Sequence, residues 1–154
     1  MTQTKRIEIA LLIIRLTAAL FLGLWASLKF HRPEWTQNIF KGAYRLKELG
    51  LETLPVEFSY TLGGLQLAIV FAFAIGLWRT WTYGLMMAMS AAGVLGSLGS
   101  LMTYYDYPRN LMLTSIPTLG ALIALFLLRD LDNLLSVSGR RASSSKAPGT
   151  KAQG

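Results

Sequence analysis

The chain has 154 residues, 53% of them hydrophobic and only 15% charged, and carries a formal net charge of +7. An ordinary soluble domain carries about 25% charged residues, so the composition and its positive mean hydropathy point to a membrane protein, while cations gathered at the ends of apolar runs argue against nucleic acid as a partner. With no cysteine and a single histidine, disulfides, thiol relays, cysteine-ligated iron–sulfur clusters and bis-histidine haem within one chain are excluded.

A membrane span needs about 20 apolar residues at 1.5 Å per residue. Four runs meet that length, at about 7–28, 58–77, 81–104 and 111–128. The expected fold is therefore all-α, an integral membrane four-helix bundle occupying residues 1–135. The first run is too long for the apolar part of a signal peptide and reads as an uncleaved span.

That first span contains Arg15, and a guanidinium at mid-bilayer costs about 2.5–3.5 kcal/mol on insertion scales. Measured from the inner ends of their spans, Arg15, Ser90, Thr17 and Gln66 lie about 12, 13, 15 and 16 Å deep, so they fall in one layer. Three destinations are open to Arg15. It can lean toward its own N-terminus, reaching the inner headgroups or Glu8; it can hydrogen-bond Gln66 and Ser90; or it can hold an anionic or carbonyl headgroup such as a quinone oxygen. On the last reading the ligand-binding candidates are Arg15, Gln66, Ser90 and Trp25.

After the first span, Trp35, Ile39, Ala43, Leu46 and Leu49 recur at helical spacing between a Pro-Glu start and Gly50. An extra amphipathic helix at about 34–49 follows from that pattern. It lies on the outer membrane surface or forms a lid over a pocket between the spans. Around the same rim stand Lys29, His31, Glu57, Tyr105 and Asp106, which are either the ordinary tyrosines and ions of a membrane edge or a proton-handling or entry site centred on His31. A metal site is not expected, because no second histidine or cysteine supports His31.

The third span places Gly84, Ala88, Ala92, Gly96 and Ser100 at every fourth position. Such a ridge permits close backbone approach, either within the bundle or along a homo-oligomer seam. The last residues, 136–154, are small, polar and basic and form an expected disordered tail. Eight Lys and Arg residues flank the spans on the side of the termini and six on the other, which puts both termini in the cytoplasm.

The stretches "RLTAALFLGLWASLKFHRPEW", "YTLGGLQLAIVFAFAIGLWRTWTYG" and "PTLGALIALFLLRDLD" resemble the DoxX-like family of small four-span bacterial membrane proteins, related to the DoxD-type thiosulfate:quinone oxidoreductase subunit. The resemblance covers roughly residues 9–134. By position, it makes Arg15, Trp25, Lys29, Gly63, Gly64 and Gln66 the characteristic residues. It implies an accessory or anchor subunit of a respiratory, quinone-linked redox complex in the bacterial inner membrane. Two other functions stay open: a stand-alone binding protein for a small lipophilic or anionic ligand, and a purely structural assembly protein. No catalytic residues are expected in the chain itself, since it lacks paired intramembrane carboxylates and any activated nucleophile.

Overall fold

The computed structural model describes residues 1–34, 36–38, 54–96 and 114–137, which are helical or turn with no strand among them. Four helices dominate: α1 (Gln3–His31), α2 (Val56–Ala74), α3 (Arg79–Gly96) and α4 (Ser115–Leu127), followed by a 3-10 turn at Arg129–Leu131. Of these, α1 and α2 are long and apolar enough to cross a membrane, and α4 is a shorter apolar helix. The expected third and fourth spans run into 97–113, outside the described residues. Most of the expected amphipathic helix also lies outside them, although residues 36–38 are helical and Gln37 Nε2 donates to the Leu54 carbonyl at 3.0 Å.

Local chemistry sets the helix limits. Lys29 and His31 occupy the last turn of α1, where cations offset the dipole. Pro33 then forces Arg32 into an extended conformation, at φ −138 and ψ 70. At the end of α2 the backbone closes a Schellman motif: Gly76 N–H donates to the Phe73 carbonyl and Leu77 N–H to the Ala72 carbonyl, both at 2.9 Å, with Gly76 at φ +65. The chain then reverses into α3.

The helices form a ring in which α1 packs on α2, α2 on α3, α3 on α4, and α4 back on α1. Close approaches give their direction. A Cβ on Gly63 would meet Lys29 and Phe30, one on Gly23 meets Val70, and one on Gly76 meets Arg15; as numbers fall along α1 they rise along α2, so the two are antiparallel. Gly84 lies against Phe126, and Arg79 reaches Arg129 and Asn133, so α3 and α4 are antiparallel too. The core centres on Phe73, Tyr83, Met86, Leu122 and Leu125, each at most 1% exposed. The rings of Phe73 and Tyr83 meet edge to face with centroids 5.0 Å apart, a geometry that aromatic pairs favour.

Gly63 marks the tightest contact between α1 and α2. A Cβ there would lie 2.8 Å from Phe30 Cε2 and 3.1 Å from Lys29 Cβ, whereas Gly64 has nothing within 4 Å. Gly63→Ala is expected to destabilise the protein by about 1–3 kcal/mol through overpacking. Gly64→Ala should be neutral or stabilising, because alanine is the better helix former. Thermal unfolding of the two variants in detergent makes the comparison; equal behaviour would mean that the helices do not meet closely there.

Within the chain the small-residue ridge of α3 is not one continuous contact. Gly84 faces Phe126, while Ala88 and Ala92 are exposed and Gly96 is half-buried; Ser100 lies outside the described residues. A four-residue step overshoots a 3.6-residue turn by about 40°, so successive members rotate off any single face.

Candidate functional site

Arg15 is fully buried. Its Nη1 donates to Asp132 Oδ2 at 2.8 Å, forming an ion pair in which both side chains are 0% exposed. The same nitrogen donates to the Tyr83 hydroxyl at 3.2 Å, and that hydroxyl donates onward to Asp132 Oδ2 at 2.7 Å. Nη2 donates to the carbonyls of Leu134 and Leu135 at 2.8 and 3.2 Å. One guanidinium thus ties α1 to α3 and to the segment leaving α4. Arg15 Nε and Asp132 Oδ1 are buried without a hydrogen-bond partner among the described residues.

A second arginine fastens the same segment. Arg79, the first residue of α3, donates from Nε to Ser136 Oγ at 3.0 Å, from Nη1 to the Arg129 carbonyl at 3.0 Å, and from both Nη atoms to Asn133 Oδ1 at 3.2 Å. Ser136 Oγ in turn donates to the Gly76 carbonyl at 3.1 Å, and Val137 N–H donates to the Ile75 carbonyl at 3.1 Å. The expected tail therefore begins later than residue 136: Ser136 is 1% exposed and, with Val137, is bonded to the turn after α2. Residues 138–154 lie outside the described residues.

Three residues around this clamp have left-handed backbone: Gly76 at φ 65, Trp78 at φ 46 and Leu135 at φ 49. For the two that are not glycine, such a conformation costs on the order of 1–3 kcal/mol each unless the surroundings impose it. At Leu135 the left-handed residue supplies one of the two consecutive carbonyls that Arg15 Nη2 binds. Chemically, this is a buried cluster of donors and acceptors in which Arg15 Nε and Asp132 Oδ1 alone lack a partner among the described residues. Arg15, Tyr83 and Asp132 are at most 1% exposed, so none offers a face to a substrate.

The sequence-derived candidates separate accordingly. Arg15 does not meet Gln66, Ser90 or Glu8. The inner ends of the helices are not flush: Arg15 is level with Gly76, whose Cβ would lie 3.0 Å from its Nη1, so α1 overhangs the α2–α3 turn by about three turns. Gln66, ten residues before Gly76 on α2, is about 15 Å further along the bundle. Thr17 is exposed and returns its hydroxyl to the Ile13 carbonyl at 2.8 Å. Trp25 is half-buried, edge to face with Phe21 at 6.2 Å. At the other end Lys29 is half-buried against Gly63, while His31 and Glu57 are exposed and form no ion pair with each other. Tyr105 and Asp106 lie outside the described residues.

Asp132 and Tyr83 are the partners that sequence reasoning missed. Asp132 stands four residues beyond the expected end of the last span, on the side toward which the Arg15 side chain leans, and that coincidence of sign and side was the available signal. Among the described residues no group of three or more His, Cys, Asp or Glu is placed to hold a metal ion.

Comparison with known proteins adds no assignment: no family model, no curated protein and no solved structure matches the chain.

Proposed function

We propose that the chain is an integral membrane protein of the DoxX-like type, a four-span bundle acting as an accessory or anchor subunit of a quinone-linked redox complex in the bacterial inner membrane, with both termini cytoplasmic. Its membrane character is supported by the outward face of α1, where Ile13, Leu16, Leu20 and Leu24 are 46–65% exposed. A helix apolar all round belongs in lipid or deep in a core, and these residues have no protein covering them. The redox association rests on the resemblance of the sequence.

The observation that favours an anchor over an enzyme is the burial of Arg15 and the engagement of both its Nη atoms inside the bundle. The one cation inside a span is consumed by Asp132, Tyr83 and two carbonyls; it holds helices together and has no donor left facing outward. Arg15 therefore does not fit a quinone oxygen. Any electron transfer belongs to a partner subunit.

The test is purification of the tagged full chain from native membranes in a mild detergent. A redox subunit should co-purify in stoichiometric amount and remain bound through size exclusion. Recovery of this chain alone, from membranes where it is expressed at its natural level, would remove the reading.

A further inference from the structure

The inward stripe of α2 runs Ser59, Gly63, Gln66, Val70 and Phe73, spaced by four, three, four and three residues along one helix face. All of these except Gln66 are buried; Gln66 keeps partial exposure. On α3 the stripe runs Tyr83, Met86 and Ser90, and exposure rises from 1% at the first two to 7% at Ser90.

Phe73 and Tyr83 are in ring contact across the two helices. Gln66 is seven residues before Phe73 and Ser90 seven after Tyr83. In neighbouring helices joined by the 75–78 reversal, both displacements run the same way, about 10 Å each and about two turns. Gln66 and Ser90 therefore share a level and an inward face. The contacts of Gly63 with Lys29 and of Gly23 with Val70 put Ala26 of α1 beside them, and its side chain is a single methyl.

Neither polar side chain has a hydrogen-bond partner among the described residues. The contrast with the hydroxyls nearby is sharp: Thr17, Thr61, Thr82 and Thr118 each return theirs to a backbone carbonyl four or five residues back, the usual resort of a hydroxyl in a helix. Ser90 does not. Arg15 is engaged nearer the end of the bundle, and the nearest charge among the described residues is Lys29, which lies against Gly63 one turn from Gln66.

We propose that Gln66 and Ser90 hold the oxygen of a neutral lipophilic molecule seated between α2 and α3. An amide N–H and a hydroxyl, both donors, converge on a carbonyl or hydroxyl oxygen, and the apolar walls take the body of the molecule. Neither donor carries a charge, which suits a neutral oxygen. A quinone and a long-chain alcohol or acylglycerol share this chemistry. The proposal rests on the membrane reading above and is independent of a partner subunit.

The experiment is thermal unfolding of the purified full chain in detergent with a short-tailed benzoquinone, dodecanol, a diacylglycerol or sodium thiosulfate. At least one lipophile is expected to raise the midpoint by several degrees, following mass action on the folded state, and thiosulfate is expected to leave it unmoved. A response to the quinone alone assigns a respiratory ligand; a response to the alcohol or diacylglycerol assigns a lipid. Gln66→Leu and Ser90→Ala should each weaken binding at least about tenfold while leaving the ligand-free midpoint unchanged or higher. Ser90→Ala removes one oxygen, so it keeps the test decisive if Gln66→Leu misfolds. The proposal is overturned if no lipophile shifts the wild type, if thiosulfate does so instead, or if both variants respond like the wild type. A chain that stays in membranes yet ignores every lipophile sinks this inference alone; one recovered in the soluble fraction sinks the membrane reading as well.

Discussion

Arg15→Ala and Asp132→Ala should each lower the unfolding free energy by about 3–5 kcal/mol, because each leaves an uncompensated charge where its partner was fully buried. The double replacement Arg15→Met with Asp132→Leu should recover most of that loss. Desolvating both ions is expensive, and apolar side chains of similar volume repack the space without that cost. Arg15→Lys should not rescue. A single ammonium cannot imitate the planar fork that spans Asp132, Tyr83 and the carbonyls of Leu134 and Leu135. Reversible unfolding in mixed micelles of these four variants, together with the Arg15→Ala/Asp132→Ala double variant that closes the cycle, gives the coupling free energy directly. Single losses below about 1 kcal/mol that simply add in the double variant would mean that the pair is solvated and the clamp does not hold the bundle.

The helices were legible in the sequence because apolar run length survives any arrangement of the spans. The runs 7–28 and 58–77 had to be helical once they were read as long and apolar; α1 covers the first, and α2 covers the second as far as Ala74. That Arg15 needs a partner or the headgroups was legible for the same reason, while the choice between them stayed open. Its partner was not. The depth estimate assumed flush helix ends, and the overhang of α1 moved Arg15 down to the level of Gly76 and of the segment after α4. An error of about two turns in one helix is invisible to periodicity, which fixes the face of a residue and not its height. Asp132 lies beyond the last long apolar run, where periodicity assigns no partner, yet a residue 117 positions away in sequence can fold back under the bundle. The offset of Gln66 and Ser90 depends less on such an assumption, since only the short turn between α2 and α3 separates their helices.

Gly76→Ala should be the most damaging single-methyl addition in the protein, at about 2–5 kcal/mol. The backbone contributes first: at φ +65 an L side chain costs roughly 1–2 kcal/mol. Sterics add about 1–3 kcal/mol, because the new Cβ would sit 2.5 Å from Ser136 Oγ, 2.9 Å from Ser136 Cβ and 3.0 Å from Arg15 Nη1. None of these atoms yields easily. Ser136 Oγ is held between Arg79 Nε and the Gly76 carbonyl, and Arg15 is fixed by its ion pair. Combining Gly76→Ala with Ser136→Gly removes the nearest obstruction and leaves the backbone term, so about half of the loss should return. Gly93→Ala is the matching control: Gly93 is helical with nothing within 4 Å of a Cβ, and alanine there should stabilise by up to about 1 kcal/mol. Should the two glycine variants unfold at the same temperature, the turn after α2 would not be packed against the arginine clamp, and the segment from Asp132 to Val137 would have to be held in some other way.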